Sequence, residues 1–286
     1  MCGTDLSLFH EPVTSTFTDS VREEAAGPAA DRARSFFENG FVTGVRLLND
    51  EQIEELRRSL AELMNPQLAT DPRFYEYHLN ESGDPAKVLF HALGAWRVSP
   101  ALHDVIFLRP MVRVAEQLLG GPVRFWHDQL FVKPARDGAA VEWHQDYSYW
   151  TRTKPVAHLT CWIGLDDSTE ENGCVQYVPR SHLWDLLPRY SLSGDMTTIF
   201  EHLTAEQRRE FKPVAAILRA GEVSFHHPMT VHGSFANRSP HPRRAVVINF
   251  IRDGVESDTD EPLLDGVPAV PKGSRLEGRF FPLLSR

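Results

Sequence analysis

The segment VEWHQDYSYW, residues 141 to 150, sets an imidazole and a carboxylate two positions apart among aromatic side chains. Residues two apart on a strand project to one side, so His144 and Asp146 share a face. Together they bind a first-row transition metal but leave it short of ligands. A third ligand must come from elsewhere, and the best candidate lies in HHPMTVHGSFAN, where His226, His227 and His232 compete for the role. Pro228 breaks a strand there, which puts His226 and His227 at a strand end, while His232 begins the next segment before Gly233 and Ser234. Two histidines and one carboxylate on an octahedral face leave the remaining positions open, the pattern of non-haem Fe(II) sites that activate oxygen. A satisfied polar pair on a strand is the plainer account of His144 and Asp146 taken alone.

A second feature strengthens the metal reading. Arg243 follows His232 by 11 residues and opens RRAVVINF, a β-branched run with the character of a strand. Ala245, Val247 and Asn249 share its face, a lining of small residues with one polar group. A buried arginine there needs an anion, because an unpaired buried charge is costly. One carboxylate of a dicarboxylic cosubstrate meets that need through paired hydrogen bonds. Arg244 points away, toward the surface.

These residues need a scaffold. Residues 1 to 28 lack periodicity and are expected to form a flexible arm. AADRARSFFENGF has the pattern of a short helix closed at Asn39-Gly40. LNDEQIEELRRSLAELM is the clearest helix, capped by Asn49 or Asp50, with Ile53, Leu56, Leu60 and Leu63 on one face. A third helix is predicted over 100 to 119, closed by Gly120-Gly121. Beyond 121 short strand-like runs alternate with turn residues, which argues for an antiparallel sandwich or barrel. TAEQRREF is helical within an insertion spanning 183 to 212. The tail 253 to 286 ends in GRFFPLLSR, apolar enough to dock on the body. The picture is mainly β: one domain over 29–286, helical over about 29–121, a jelly-roll core over about 122–252, and the tail.

WHQDYSYW, EENGCVQYVPRSH, HGSFAN and RRAVVINF, with the opening FFENGFV…LNDEQIEELRRSL, resemble the phytanoyl-CoA dioxygenase family of Fe(II)/2-oxoglutarate oxygenases over roughly residues 33 to 252. The resemblance implies a double-stranded β-helix, cupin-like fold, iron at His144, Asp146 and His232, and 2-oxoglutarate salt-bridged to Arg243. It implies that Ser234 assists that arginine and that Trp162 lines the cosubstrate pocket. The strand DQLFVKP would supply polar groups from its inward face of Gln129, Phe131 and Lys133, with Gln129 favoured over Lys133. The implied reaction consumes O₂ and 2-oxoglutarate, releases succinate and CO₂, and hydroxylates a C–H bond. Asp146 fills the position that a small residue leaves open in related halogenases, so halogenation is disfavoured. Tyr149, taken to share the face of Asp146, and Trp150 are the substrate-contact candidates. His182 is assigned to a structural loop, and His91, His127 and His158 are left outside the metal site. The insertion and the tail are possible lids.

Composition sets the outer limits. The chain has 286 residues, 42% of them hydrophobic and 24% charged, in the range of ordinary globular proteins. A net charge of −9 and the lack of a basic block argue against nucleic acid. No apolar run approaches a membrane span, and the N-terminus lacks a secretory pattern. Cys2, Cys161 and Cys174 are too scattered for a disulfide framework, so a cytoplasmic setting is expected. The expected partner is a small organic molecule, natural-product or amino-acid-like, with no protein partner evident. Two rivals stand beside the oxygenase. One is a non-catalytic jelly roll holding a metal or ligand; the other is a cupin-type enzyme that does not use 2-oxoglutarate and so does not require Arg243.

Overall fold

Strand β12 (Arg243–Arg252) shows how the sequence pattern becomes architecture. Val246 and Ile248 point into the large hydrophobic core, whereas Ala245 and Val247 point into a smaller cluster between two sheets. A computed structural model describes residues 3–18 and 29–285. There β12 pairs on one edge with β4 (Val123–Lys133) and on the other with β7 (His158–Gly164), both antiparallel. The sheet continues from β7 through β10 (Glu222–His226) to β1 (Phe41–Arg46), and from β4 through β3 (Phe90–Leu93) to β2 (Glu76–His78).

A second sheet runs in the order β5 (Val141–His144), β11 (His232–Ser234), β8 (Val175–Tyr177), β9 (Val214–Ala215). A short pair, β6 (Thr153–Lys154) and β13 (Glu256–Ser257), lies apart. The two sheets face one another across a cavity, which is the expected jelly roll. Period-two alternation aims Gln129, Phe131 and Lys133 of β4, Thr160 and Trp162 of β7, and Ser224 and His226 of β10 toward the second sheet. The alternate residues Leu130, Val132, Leu159, Cys161, Ile163, Val223 and Phe225 join the core beneath the helices. Cys161 and Cys174 are buried free thiols.

Helices α1 (Ala29–Asn39) and α2 (Asp50–Leu63) fall where their patterns put them. Asn49 is the cap of α2. Its side chain accepts from Gln52 N at 2.9 Å, and the Gln52 side chain accepts from Asn49 N at 3.1 Å. Replacing Asn49 with alanine should cost about 1 kcal/mol, read as a lower urea midpoint at unchanged slope. The helix predicted over 100–119 is instead two, α3 (Pro100–Val105) and α4 (Arg109–Leu119). Pro110 is the cause: it lacks an N–H and its ring clashes with a preceding carbonyl, so it can only sit in the first turn of a new helix. In the insertion, α5 (Ala205–Glu210) takes up most of the helical TAEQRREF.

Residues 3–18 correct the expected flexible arm; 19–28 lie outside the described residues. Phe17 is buried in the main core. Asp5 receives hydrogen bonds from Arg97 Nη2 at 2.6 Å and Arg279 Nη2 at 2.7 Å. The Val13 and Thr14 amides donate to the Asp104 carboxylate at 2.8 and 2.7 Å. Partial burial pushes the Asp5 carboxyl up, but the bonds from Arg97 and Ser7 outweigh it and bring the pKa to about 2. The tail docks as expected, with Phe281 stacked on Trp126 at 5.5 Å and Leu284 N donating to Val123 O at 2.9 Å. Among the described residues no helix is long and apolar enough to cross a membrane.

Candidate metal and cosubstrate site

The antiparallel register of β11 on β5 sets His232 directly opposite His144, with ring centroids 4.2 Å apart. Asp146 reaches the same point by a different route from the one strand periodicity predicts. Strand β5 ends at His144, Gln145 is still extended, and a short 3₁₀ turn spans Asp146–Tyr149. Asp146 Oδ1 lies 3.4 Å from His144 Nε2 and 3.6 Å from His232 Nε2. His144, Asp146 and His232 form a group whose ligand atoms lie within 4.8 Å of one another.

Hydrogen bonding prepares both imidazoles as ligands. His144 Nδ1 lies 2.7 Å from Glu142 O and His232 Nδ1 lies 2.9 Å from Thr230 O. A carbonyl only accepts, so each Nδ1 carries the proton and each Nε2 keeps its lone pair for a metal. Burial holds the His232 pKa well below its usual value, and the neighbouring His144 and His226 add to the effect. Burial pushes the Asp146 carboxyl up. The surrounding His232, His144 and His226 outweigh that and hold it well below the usual carboxylate range. Two neutral imidazoles and one anion suit a divalent transition metal.

His226 and His227 do not join that set. His226 Nε2 lies 2.9 Å from Asp146 Oδ2, on the far carboxylate oxygen, and His227 Nδ1 accepts from Met229 N at 3.2 Å. His127 and His158 are buried, which lowers their pKa values to about 4 and about 3. His182 sits in a short 3₁₀ turn (Ser181–Leu183), and its Nε2 contacts Phe37 O at 3.3 Å.

At the other end of the same cavity lies a second polar cluster. Register pairs Arg243 with Lys133, and both are almost completely buried. Arg243 Nη2 donates to Gly173 O at 3.0 Å and to Ser234 Oγ at 3.3 Å, and its Nε has no partner among the described residues. Gly173, at φ 76°, forms the tight turn that presents its carbonyl to Arg243. Asp166 is committed to Arg244 at 2.6 Å, so it does not neutralise Arg243. Burial draws the Arg243 pKa down to about 10. Trp162 packs its ring 5.3 Å from the guanidinium.

Lys133 takes a different place from the one the sequence implied. Its ammonium donates to Ser234 Oγ at 2.6 Å, Ser234 O at 3.1 Å and Phe235 O at 2.6 Å. Those three bonds use all three of its donors, so it braces Ser234 and has none left for a cosubstrate. Gln129 lines the cavity wall and Lys133 does not. Ser234 Oγ accepts from both Lys133 and Arg243, which leaves its own proton free to donate into the cavity. The donor set therefore fits the far carboxylate of 2-oxoglutarate: a buried guanidinium with a spare N–H beside a poised hydroxyl.

The cavity between and beyond these clusters is about 340 Å³. Tyr149 and Trp150 both line it. Tyr149 stands edge-on to His144 at 5.7 Å, because the 3₁₀ turn eclipses it with Asp146, three residues earlier, on the metal side. Arg189, Tyr190 and Leu192 from the insertion and Leu263 and Leu264 from the tail complete the wall. Those wall residues, along with Thr160, Tyr177 and the bracing role of Lys133, escaped the sequence reading. Its only pointer to the wall was the marking of 183–212 and 253–286 as possible lids.

The jelly roll and its paired clusters define an Fe(II)/2-oxoglutarate-dependent dioxygenase. The chain belongs to the phytanoyl-CoA dioxygenase family, whose profile matches residues 36–245. It is 25% identical to the L-proline trans-4-hydroxylase of Streptomyces griseoviridis, over 79% of this chain and 88% of that one. It is 27% identical to the ectoine dioxygenase of Bordetella parapertussis, over 78% and 75% of the two chains. Among solved structures, the non-haem α-ketoglutarate-dependent carbocyclase SnoK from nogalamycin biosynthesis superposes with a TM-score of 0.71 at 25% identity, covering 90% of this chain and 96% of that one.

Proposed function

We propose that this dioxygenase hydroxylates a C–H bond of a small, amino-acid-like or natural-product substrate, using His144, Asp146 and His232 to hold Fe(II). Arg243 and Ser234 bind the far carboxylate of 2-oxoglutarate, with Trp162 and Gln129 along its flank. Tyr149 and Trp150 contact the substrate. One observation carries the reading: the buried Arg243, with no acid of its own among the described residues, shares a cavity with the His144–Asp146–His232 group. A structural metal site or a cupin working without 2-oxoglutarate has no use for such a cation.

Bound iron, with 2-oxoglutarate and O₂, supplies the oxidising power for hydroxylation, and the cosubstrate leaves as succinate and CO₂. The protein orients and encloses. His144 and His232 are held by the carbonyls of Glu142 and Thr230. The aromatic wall and the residues from 189–192 and 263–264 line the cavity around the place a substrate would fill. The modest cavity, shared with the cosubstrate, supports a small substrate. Glu81 and Arg189 on its lining suit a molecule carrying both charges. The relatives' names, a proline hydroxylase and an ectoine dioxygenase, support the same class. The composition and the free buried thiols support a cytoplasmic location.

Iron-loaded protein supplied with 2-oxoglutarate and a panel of amino acids and cyclic amino-acid derivatives should form succinate in step with hydroxylated product. Fe(II) with 2-oxoglutarate at 100 times its dissociation constant should add about 2.7 kcal/mol of stability. Neither stabilisation nor succinate across the panel would overturn the reading.

A further inference from the structure

Three buried side chains behind the metal-binding group form a hydrogen-bonded row that ends on Asp146. Ser224 Oγ lies 2.8 Å from Tyr177 Oη, Tyr177 Oη lies 3.1 Å from His226 Nδ1, and His226 Nε2 lies 2.9 Å from Asp146 Oδ2. All three residues are sealed from solvent. Two antiparallel pairings set this row. Strand β10 aims Ser224 and His226 to the cavity side, and β8 places Tyr177 opposite His232 on β11. Phe41 stacks on the Tyr177 ring at 4.7 Å and holds it there.

The chemistry of the end group fixes the direction of the last link. A carboxylate only accepts, so the proton on the last link belongs to His226 Nε2. Behind it, Tyr177 Oη lies within hydrogen-bond distance of both His226 Nδ1 and Ser224 Oγ and holds the ring in that orientation. Thr160 Oγ1 adds a second donor to the same Asp146 oxygen at 2.7 Å. Asp146 Oδ2 is thus occupied twice, while Oδ1 faces His144 Nε2 and His232 Nε2.

We infer that Ser224, Tyr177 and His226 form a positioning relay that pins Asp146 Oδ2, so that the carboxylate offers the metal Oδ1 alone. A carboxylate free to turn could bind through both oxygens and take up a position the reaction needs open. His226 is a positioning residue, acting on the metal only through Asp146. The inference rests on the metal assignment made above for His144, Asp146 and His232.

Co(II) titration of the metal-free protein, followed by visible absorption, tests both levels separately. Wild-type protein should bind one Co(II) and His232→Ala should not; if wild-type protein fails to bind, the metal assignment itself falls. With wild-type binding in place, His226→Phe keeps a buried ring but removes the donor. It should weaken Co(II) by about 10- to 100-fold, the usual loss when a partner of a metal ligand is removed, and should change the Co(II) band shape. His226→Gln, which restores an N–H donor, should recover most of that affinity. Tyr177→Phe should produce a smaller loss in the same direction, and it decides the matter if His226→Phe does not fold. Wild-type affinity and spectrum in His226→Phe, or in Tyr177→Phe where that variant decides, would overturn the relay. So would a loss in His226→Phe as complete as in His232→Ala, since His226 would then be a ligand.

Discussion

Replacing Asp146 with asparagine should abolish metal binding and succinate formation, although the side chain keeps its shape and volume. The substitution removes the only anion in the group, leaving two neutral imidazoles to hold a dication. It also creates a conflict of donors. His226 Nε2 and Thr160 Oγ1 both direct protons at Oδ2, from 2.9 and 2.7 Å. An amide nitrogen at that position sets three donors against one another. The opposite orientation turns the amide nitrogen, which has no lone pair to give, toward the metal position. Metal affinity should therefore fall by more than about 100-fold, beyond the range for a residue that only supports a ligand. Titration of the metal-free variant with Co(II) reads the affinity, and succinate formation reads the consequence. Near-native turnover in Asp146→Asn would show that Asp146 is not a ligand.

What the sequence made legible was whatever a local period encodes. Strand β12 has a period of two, so the shared face of Arg243, Ala245 and Val247 could be read directly, while the inward places of Gln129 and Trp162 came from the family resemblance. The face of α2 and the presence of a cap at its start were equally plain. Other features had no local signal. Spacing alone left the third ligand open among His226, His227 and His232; the family resemblance pointed to His232, and register sets it against His144. The turn over Asp146–Tyr149 looked like continuing strand, and only the 3₁₀ geometry brings Tyr149 around to His144. Residues 3–18 lack periodicity because long-range polar contacts hold them, Asp5 to Arg97 and Val13 to Asp104. Lys133 shares a face with Gln129, as alternation requires. Counting its donors was what separated a brace from a ligand contact.

Arg243→Met should divide cosubstrate binding from metal binding, and it should do so without damaging the fold. Among the described residues the guanidinium is buried, paired to no acid, and left with an open Nε. Such a charge is a burden on the empty protein, because burial disfavours it and only the carbonyl of Gly173 and the hydroxyl of Ser234 compensate. Methionine fills similar space without the charge, and it relieves the repulsion from Arg243 that adds to burial in lowering the Lys133 pKa. The metal-free variant should accordingly melt no lower than wild type. Binding of 2-oxoglutarate should suffer by about 2–5 kcal/mol, the cost of removing one partner of a buried, hydrogen-bonded charge pair. That is roughly 30- to several thousand-fold in dissociation constant. The cation lies at the opposite end of the cavity from Asp146, so Co(II) affinity should remain within a few-fold of wild type. Equal losses of metal and 2-oxoglutarate would mark Arg243 as structural. Unchanged 2-oxoglutarate binding would move the cosubstrate's anchor elsewhere in the cavity.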